Sequence, residues 1–399
     1  MTRSTPRRRL AAAFALLLAL VSAASAWAQA PSVSPPKVLR YAMRSAETSF
    51  DPAAIADLYS RIVTSHIFEG LVGYDPMASP AELRPRTITA MPEVEDDFRR
   101  FTFHLQPGIH FADDPAFGGR PRELVAQDYV YALERIADPA VRSQSWGELA
   151  QAGIVGLVAA HQRALDEHRA FDYDAPIAGL RAIDRYTLRI ELAEPRPRLL
   201  EVLAQGDLYG AIAREVVERY GPDIGAHPVG TGPFRLAHWR RASLIVLERN
   251  PGFRDVRYDA HPAADDAQGQ SFLARFKGRR LPMIDRVELS VIEQDQPRWL
   301  AFLDGEADLV QQVPEAYVDS AMPGGHLAPN LARKHLQAWR TVASDEVLTM
   351  FNIADPVVGG LDPTHVALRR AIALGTDSAR EARLVRHGQM VILSLSFKL

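Results

Sequence analysis

The sequence predicts an α/β protein built from more than one lobe, and three observations carry that prediction. The first is a strand whose residues are apolar at consecutive positions, Leu244-Ile245-Val246-Leu247, reached through the turn Gly230-Thr231-Gly232-Pro233. A strand covered on both faces belongs to a sheet with helices packed on it, not to a half-wet hairpin. The second is the alternation of such strands with helical periodicity along the chain. The third is topological: one strand-helix block lies between Leu58 and Asp184 and another after Ile292, which a single core explains poorly. At 399 residues the chain also exceeds the size at which one core keeps growing.

Composition sets the class. An apolar fraction of 47% with 24% charged residues is that of a globular protein, not a disordered one. A formal charge of −3 leaves no basic footprint for nucleic acid. Arg3, Arg7, Arg8 and Arg9 precede an apolar run from Leu10 to Ala24, and Ala26-Trp27-Ala28 offers a small-x-small cleavage site. Residues 1–28 therefore read as a cleaved secretory signal peptide, with Ala26 as the other cleavage point, and too short to be a membrane anchor. Losing those four arginines takes the formal charge from −3 to −7. The chain has no cysteine, so neither disulfides nor a lipid-bearing N-terminal cysteine is open to it. The expected address is the periplasm, as a free protein and not a lipoprotein.

Taken in order, Val38 to Met43 is the first strand. A polar loop, Arg44 to Ser49, leads through Phe50-Asp51-Pro52 into a helix whose inward residues are predicted to be Ile55, Leu58, Ile62, Val63, His66 and Ile67. Gly70 stops it. Ligands of open α/β sheets bind beyond the C-terminal ends of strands, so Ala46-Glu47-Thr48-Ser49 is the first candidate site. Glu47 could pair with an ammonium group, and Thr48 or Ser49 could supply a hydroxyl or an amide; a simple polar turn is the other reading.

From Phe101 the pattern has period two, with Phe101, Phe103 and Leu105 on one face. An amphipathic helix is predicted from Arg122 to Asp138, with Val125, Tyr129, Leu133, Ile136 and Ala137 inward. Asp184 to Leu192 alternates again, and a helix runs through Leu199, Leu200, Val202 and Leu203. The stretch from Tyr258 to Arg280 reads as a polar surface excursion. Leu281 to Ile292 is a long strand, Pro297 to Asp304 a helix, and Ala307 to Val310 a short strand. The helix from Val366 to Leu374 ends at Gly375, and Asp377 can cap the next one.

No motif for catalysis or cofactors is present. His104 and His110 are six apart, but Pro107-Gly108 breaks the strand between them and no third ligand follows, so no metal and no cofactor are expected. His161 and His168 read the same way. A Gly-x-Ser-x-Gly elbow, a His-Glu-x-x-His pair, a lysine-bearing phosphate loop and a cysteine nucleophile are all missing.

The segment Pro228-Val229-Gly230-Thr231-Gly232-Pro233-Phe234, with a strand ending Glu248-Arg249-Asn250-Pro251, resembles the most recognisable part of the extracellular solute-binding proteins of family 5. These are the receptors of oligopeptide and dipeptide ABC importers. The Glu69-Gly70-Leu71 helix end, the Asp128-Tyr129-Val130-Tyr131-Ala132-Leu133-x-Arg135 helix and the Gly305-Glu306-x-Asp308-Leu309 passage are similar to the family's parts in the same order. Phe111-Ala112-Asp113-Asp114 departs from the family's Asp-Gly turn there. The resemblance covers nearly all of Val38 to Met390.

That resemblance implies a periplasmic-binding-protein-like two-lobe fold of type II, with the extra domain of the peptide-binding class and an incomplete second lobe. The implied parts are 29–58 as the first segment of lobe I, 59–184 as an inserted second domain, 185–290 as the rest of lobe I and 291–399 as lobe II. It implies capture of a peptide or related solute by hinge closure, and delivery to ABC permease subunits in the inner membrane by a monomer. Nickel chelates, haem, opines and oligosaccharides are ligands of other members. Trp146 falls near the family's cleft aromatic; a core or interdomain tryptophan is the other reading. The family's aspartate for the peptide amino group has no match here. The chain is accordingly expected to be a truncated or frame-shifted product that cannot close normally, its last residues Leu393, Leu395, Phe397 and Leu399 lining one face of a strand. An exported hydrolase and a receptor without transport are the rival functional readings.

Overall fold

The computed structural model describes residues 35–339 and 349–390. The signal peptide expected over 1–28 and the strand expected at the end of the chain lie outside the described residues.

Strands and helices alternate as the sequence predicts. In chain order they are β1 (Val38–Met43), α1 (Leu58–Thr64), β2 (Val72–Tyr74), β3 (Leu83–Pro85), β4 (Glu93–Glu95), β5 (Arg100–His104), α2 (Ala126–Ala137), α3 (Trp146–Ala152) and α4 (Leu157–Asp166). There follow β6 (Leu180–Ala182), β7 (Thr187–Glu191), α5 (Leu199–Leu203), α6 (Gly206–Tyr209), α7 (Arg214–Tyr220), β8 (Phe234–Arg240), β9 (Leu244–Arg249), α8 (Ala267–Phe276) and β10 (Arg286–Val291). The last are α9 (Asp295–Leu303), α10 (Val318–Ala321), α11 (Pro329–Ala332), α12 (Pro363–Gly375) and α13 (Ser378–Leu384).

The chain divides into two compact units. The first comprises 47–240 and 245–288 with the start of β1, and the second 40–46, 241–244 and the residues from 289 onward. The blocks 59–184 and 185–288 thus share one compact unit. Three of the five boundaries fall within β1, β9 and β10, and the others after Ala46 and after Arg240; the sheet of these strands is ordered β1-β10-β9-β8.

In the larger unit, β5 pairs antiparallel with β4 and β7, and β7 with β6. Phe101, Phe103 and Leu105 are buried as expected and His104 is exposed, but Thr102, on the same face as His104, is buried too. The helix over this sheet differs from expectation. Every residue of α2 except Gln127 is buried, including Asp128, Glu134 and Arg135, because neighbours cover it on all sides rather than along one stripe.

Helix α1 also departs from the predicted pattern. Leu58 is 61% exposed, whereas Ser60 and Thr64 are buried with Val63. Ser60 and Thr64 bury hydroxyls that have hydrogen-bond work to do, which hydrophobic periodicity does not register. Asp57 caps this helix, accepting from the Ser60 N–H at 2.8 Å.

The glycine turn closes against the end of α1. The Gly232 N–H donates to Ile67 O at 2.8 Å and the Phe234 N–H to His66 O at 3.1 Å. A Cβ on Gly230 would stand 2.0 Å from Ile67 O, and one on Gly232 2.6 Å from it. Close backbone approach, and not a left-handed backbone, is what demands glycine here. Beyond the turn, Ile245, Val246 and Leu247 are all buried, as a strand covered on both faces must be.

In the smaller unit, Trp299 of α9 packs with Ala321, Ala328 and Leu331, and stacks on Tyr317 at 5.8 Å. Arg40 is paired with Asp308 at 2.7 Å, and Tyr41 bridges Leu309 in the place of the predicted short strand. Asp362 and Asp377 cap α12 and α13 through their side chains. The polar stretch 258–280 contains a helix, α8, capped by Asp266, which the reading as an excursion did not include.

Candidate ligand site

The loop after β1 is held to the start of α1 by hydroxyl and carboxylate groups. Ser60 Oγ accepts the backbone N–H groups of Thr48 at 2.9 Å and Ser49 at 3.3 Å. Thr48 Oγ1 donates to Asp57 Oδ2 at 2.5 Å. Burial pushes the Asp57 carboxyl up, but the bonds from Thr48 and Ser60 outweigh it and leave it below the usual carboxylate range. One helix cap therefore serves two purposes, starting α1 and fixing the loop in front of it.

Glu47 is 4% exposed, and its Oε1 accepts the Trp239 indole N–H at 2.7 Å. Trp239 lies against Phe50, with ring centroids 4.6 Å apart. This carboxylate is thus engaged inside the larger unit, whereas Thr48, one residue on, is exposed. Glu47, Thr48 and Ser49 form one continuous element, as the sequence predicts.

Trp146 stands in a different setting. It opens α3 and stacks on His161 of α4, centroids 4.2 Å apart, and His161 in turn bonds the carbonyl of Ala137. The tryptophan is half-buried. A polar relay joins its helix to α1: Arg61 reaches Asp207 and Gln205, Gln205 donates to Glu148, and Tyr209 donates to Glu148 at 2.7 Å.

Two supporting pairs escaped sequence reasoning. Asp51, two residues past Ser49, receives both guanidinium nitrogens of Arg135, at 2.7 and 2.9 Å. Glu69 receives both guanidinium nitrogens of Arg254, at 2.7 and 2.9 Å, together with the Thr231 hydroxyl at 2.9 Å. Asp51, Arg135 and Glu69 lie in segments that the sequence singles out and Arg254 does not, and nothing local says which acid meets which base.

Among the described residues no group of three His, Asp or Glu side chains is placed to hold a metal ion. His104 faces Glu93 at 3.5 Å, and His110 bonds Gly108 O. No described helix is long and apolar enough to cross a membrane.

Comparison with known proteins gives this architecture its context. The probable deoxycholate-binding periplasmic protein YgiS of Escherichia coli K12 is 27% identical over 77% of this chain and 51% of its own length. The periplasmic oligopeptide-binding protein OppA of Salmonella typhimurium LT2 is 30% identical over 52% of this chain and 35% of its own. The chain thus spans half, or less, of the length of these curated relatives. Among solved structures, Haemophilus influenzae OppA in complex with RPPGFSPFR matches with a TM-score of 0.55 at 20% identity, covering 73% of this chain and 50% of that one. Helicobacter pylori DppA in complex with the peptide STSA matches with a TM-score of 0.53 at 23% identity, covering 71% and 48%. These likenesses show a shared fold. The proteins named are binding proteins, and the hydrolase alternative draws no support from them. Residues 82–391 match the family described as bacterial extracellular solute-binding proteins, family 5 Middle, and the chain belongs to that family.

Proposed function

We propose that the chain is the periplasmic substrate-binding component of an ABC importer, which captures peptides or a related small solute and delivers them to permease subunits in the inner membrane. The family match over 82–391 carries this reading. It is supported by the division into two compact units, which hinge closure requires. The signal peptide is cleaved after Ala28 or Ala26, and the protein works as a monomer without a lipid anchor. Within this reading, 29–58 and 185–290 build lobe I, 59–184 is its inserted domain and 291–399 belongs to lobe II.

The ligand contacts we propose are the loop Glu47-Thr48-Ser49 and Trp146. The exposed Thr48 is the polar tip of that loop, and Glu47 serves through the position it gives Trp239 and Phe50. Trp146 offers a half-buried ring already stacked on His161.

The test is calorimetry on the exported chain with a library of di- to pentapeptides and, separately, with deoxycholate. Micromolar binding of peptides that weakens at least tenfold in Thr48→Ala/Ser49→Ala and in Trp146→Ala supports the function and the site, and overturns the expectation that the chain cannot close normally on a ligand. Binding of neither ligand class overturns the reading; binding that survives both variants overturns the site alone.

A further inference from the structure

Helix α2 buries three charged side chains, and two of them are answered. Arg122 meets Asp128 at 2.7 and 3.1 Å, and Asp51 meets Arg135. Glu134 is the exception. It is 3% exposed, and its Oε2 has no hydrogen-bond partner among the described residues. An ionised carboxylate in that position would lack the partners that make a buried charge tolerable.

A strap of chain crosses the helix at this point. The Tyr173 ring packs on Tyr131, centroids 5.1 Å apart, and on Phe171, and its hydroxyl donates to Asp138 Oδ2 at 2.7 Å. Tyr131 and Asp138 stand three positions before and four after Glu134, hence on the same helix face. On the far side, Arg214 of α7 lies over the Tyr131 ring at 5.8 Å and binds Asp174 at 2.7 Å.

We propose that Glu134 is a proton-operated latch beneath the strap 167–178: with the carboxyl protonated the strap lies across α2, and with it ionised the strap lifts and admits water.

The charged groups that act on Glu134 are few. Burial above all, opposed by Arg214 and helped by Asp174 and Asp172 on the strap, brings its carboxyl up to about 8. Other titratable groups around α2 are engaged: Glu218 with Arg214, Arg135 with Asp51, His161 with Ala137 O, and Glu148 with Tyr209. The sign follows from the two states. With the strap open, the carboxyl regains its ordinary value near 4.5, so opening becomes easier with each pH unit from there to about 8 and then levels off.

Hydrogen exchange of the 167–178 strap, corrected for the intrinsic pH dependence, tests this on the full exported chain. Protection in the wild type is expected to fall at least thirtyfold between pH 5 and pH 8, on the order of the linkage for a carboxyl with these two values. Glu134→Gln is expected to flatten the profile, and Glu134→Met takes its place if the glutamine variant does not fold. Asp172→Asn, which leaves Glu134 intact, is expected to move the upper plateau to lower pH. A wild-type profile that changes less than threefold overturns the proposal, as does a neutral variant that follows the wild-type profile.

Discussion

Asp51 and Arg135 meet in a two-pronged ion pair inside the larger unit, each side chain 5% exposed, although 84 positions separate them. The pair fixes the end of the Glu47–Ser49 loop to the most deeply buried helix of the unit. Burial alone would lower the Arg135 value, and Asp51 more than reverses that, so the guanidinium stays charged.

Removing one member leaves the other charge buried without its partner. Arg135→Met is therefore expected to lower stability by about 3–5 kcal/mol in urea unfolding. The double variant Asp51→Leu/Arg135→Met is expected to recover most of that loss. A single variant as stable as wild type would show that water reaches the pair.

The glycine turn offers a second measurement. Gly230→Ala places a methyl group 2.0 Å from Ile67 O, backbone that cannot swing away, and is expected to cost about 3 kcal/mol or more. Gly147, on the second position of α3, would meet nothing within 4 Å, and Gly147→Ala is expected to stabilise by up to about 1 kcal/mol. Thermal unfolding of the two variants side by side checks the contrast.

Asp75 gives a prediction in pH. Burial raises its carboxyl, but the Met77 N–H and the ring and N–H of His261 outweigh this and lower it to about 2. A depressed carboxyl contributes stability above its unfolded value, near 3.8, and loses it as pH falls through 2. About 2 kcal/mol should vanish over that window. Denaturant titrations at pH 6, 4 and 2.5 should show a steeper acid loss in wild type than in Asp75→Asn.

The Glu47 carboxylate can be probed through the ring it holds. Glu47→Ala withdraws the Trp239 acceptor and is expected to cost about 1–3 kcal/mol, with a shift in tryptophan emission. Glu47→Gln keeps an acceptor oxygen and is expected to stay within about 1 kcal/mol of wild type. Equal losses in the two would mean that charge, and not the hydrogen bond, is what matters at 47.

Much of this was legible in the residues themselves. Alternation placed β5 and β7, an unbroken apolar run placed β9, and the caps Asp362 and Asp377 act locally. What escaped were relationships between distant residues and polar groups in apolar settings. Leu58 was assigned inward by its spacing, yet Ser60 and Thr64 take that face because Ser60 Oγ accepts a loop N–H and Thr64 Oγ1 donates to the Ser60 carbonyl. Helix α8 was hidden by Gly269 in its first turn, although Asp266 and the Phe272–Phe276 spacing were signals of it. Arg135 and Asp51 each lay in quoted motifs, but a pairing across 84 positions leaves no local trace.

The closure of the glycine turn on α1 also orders events in time. Thr231 and Glu69 are 162 positions apart, and the carbonyl of Ile67 waits on the same distant turn. A ribosome or an export channel releases the early helix long before residues 230–254 exist outside it. The end of α1, within the first fifth of the 399 residues, is therefore completed only after the turn at 230–234 has been made.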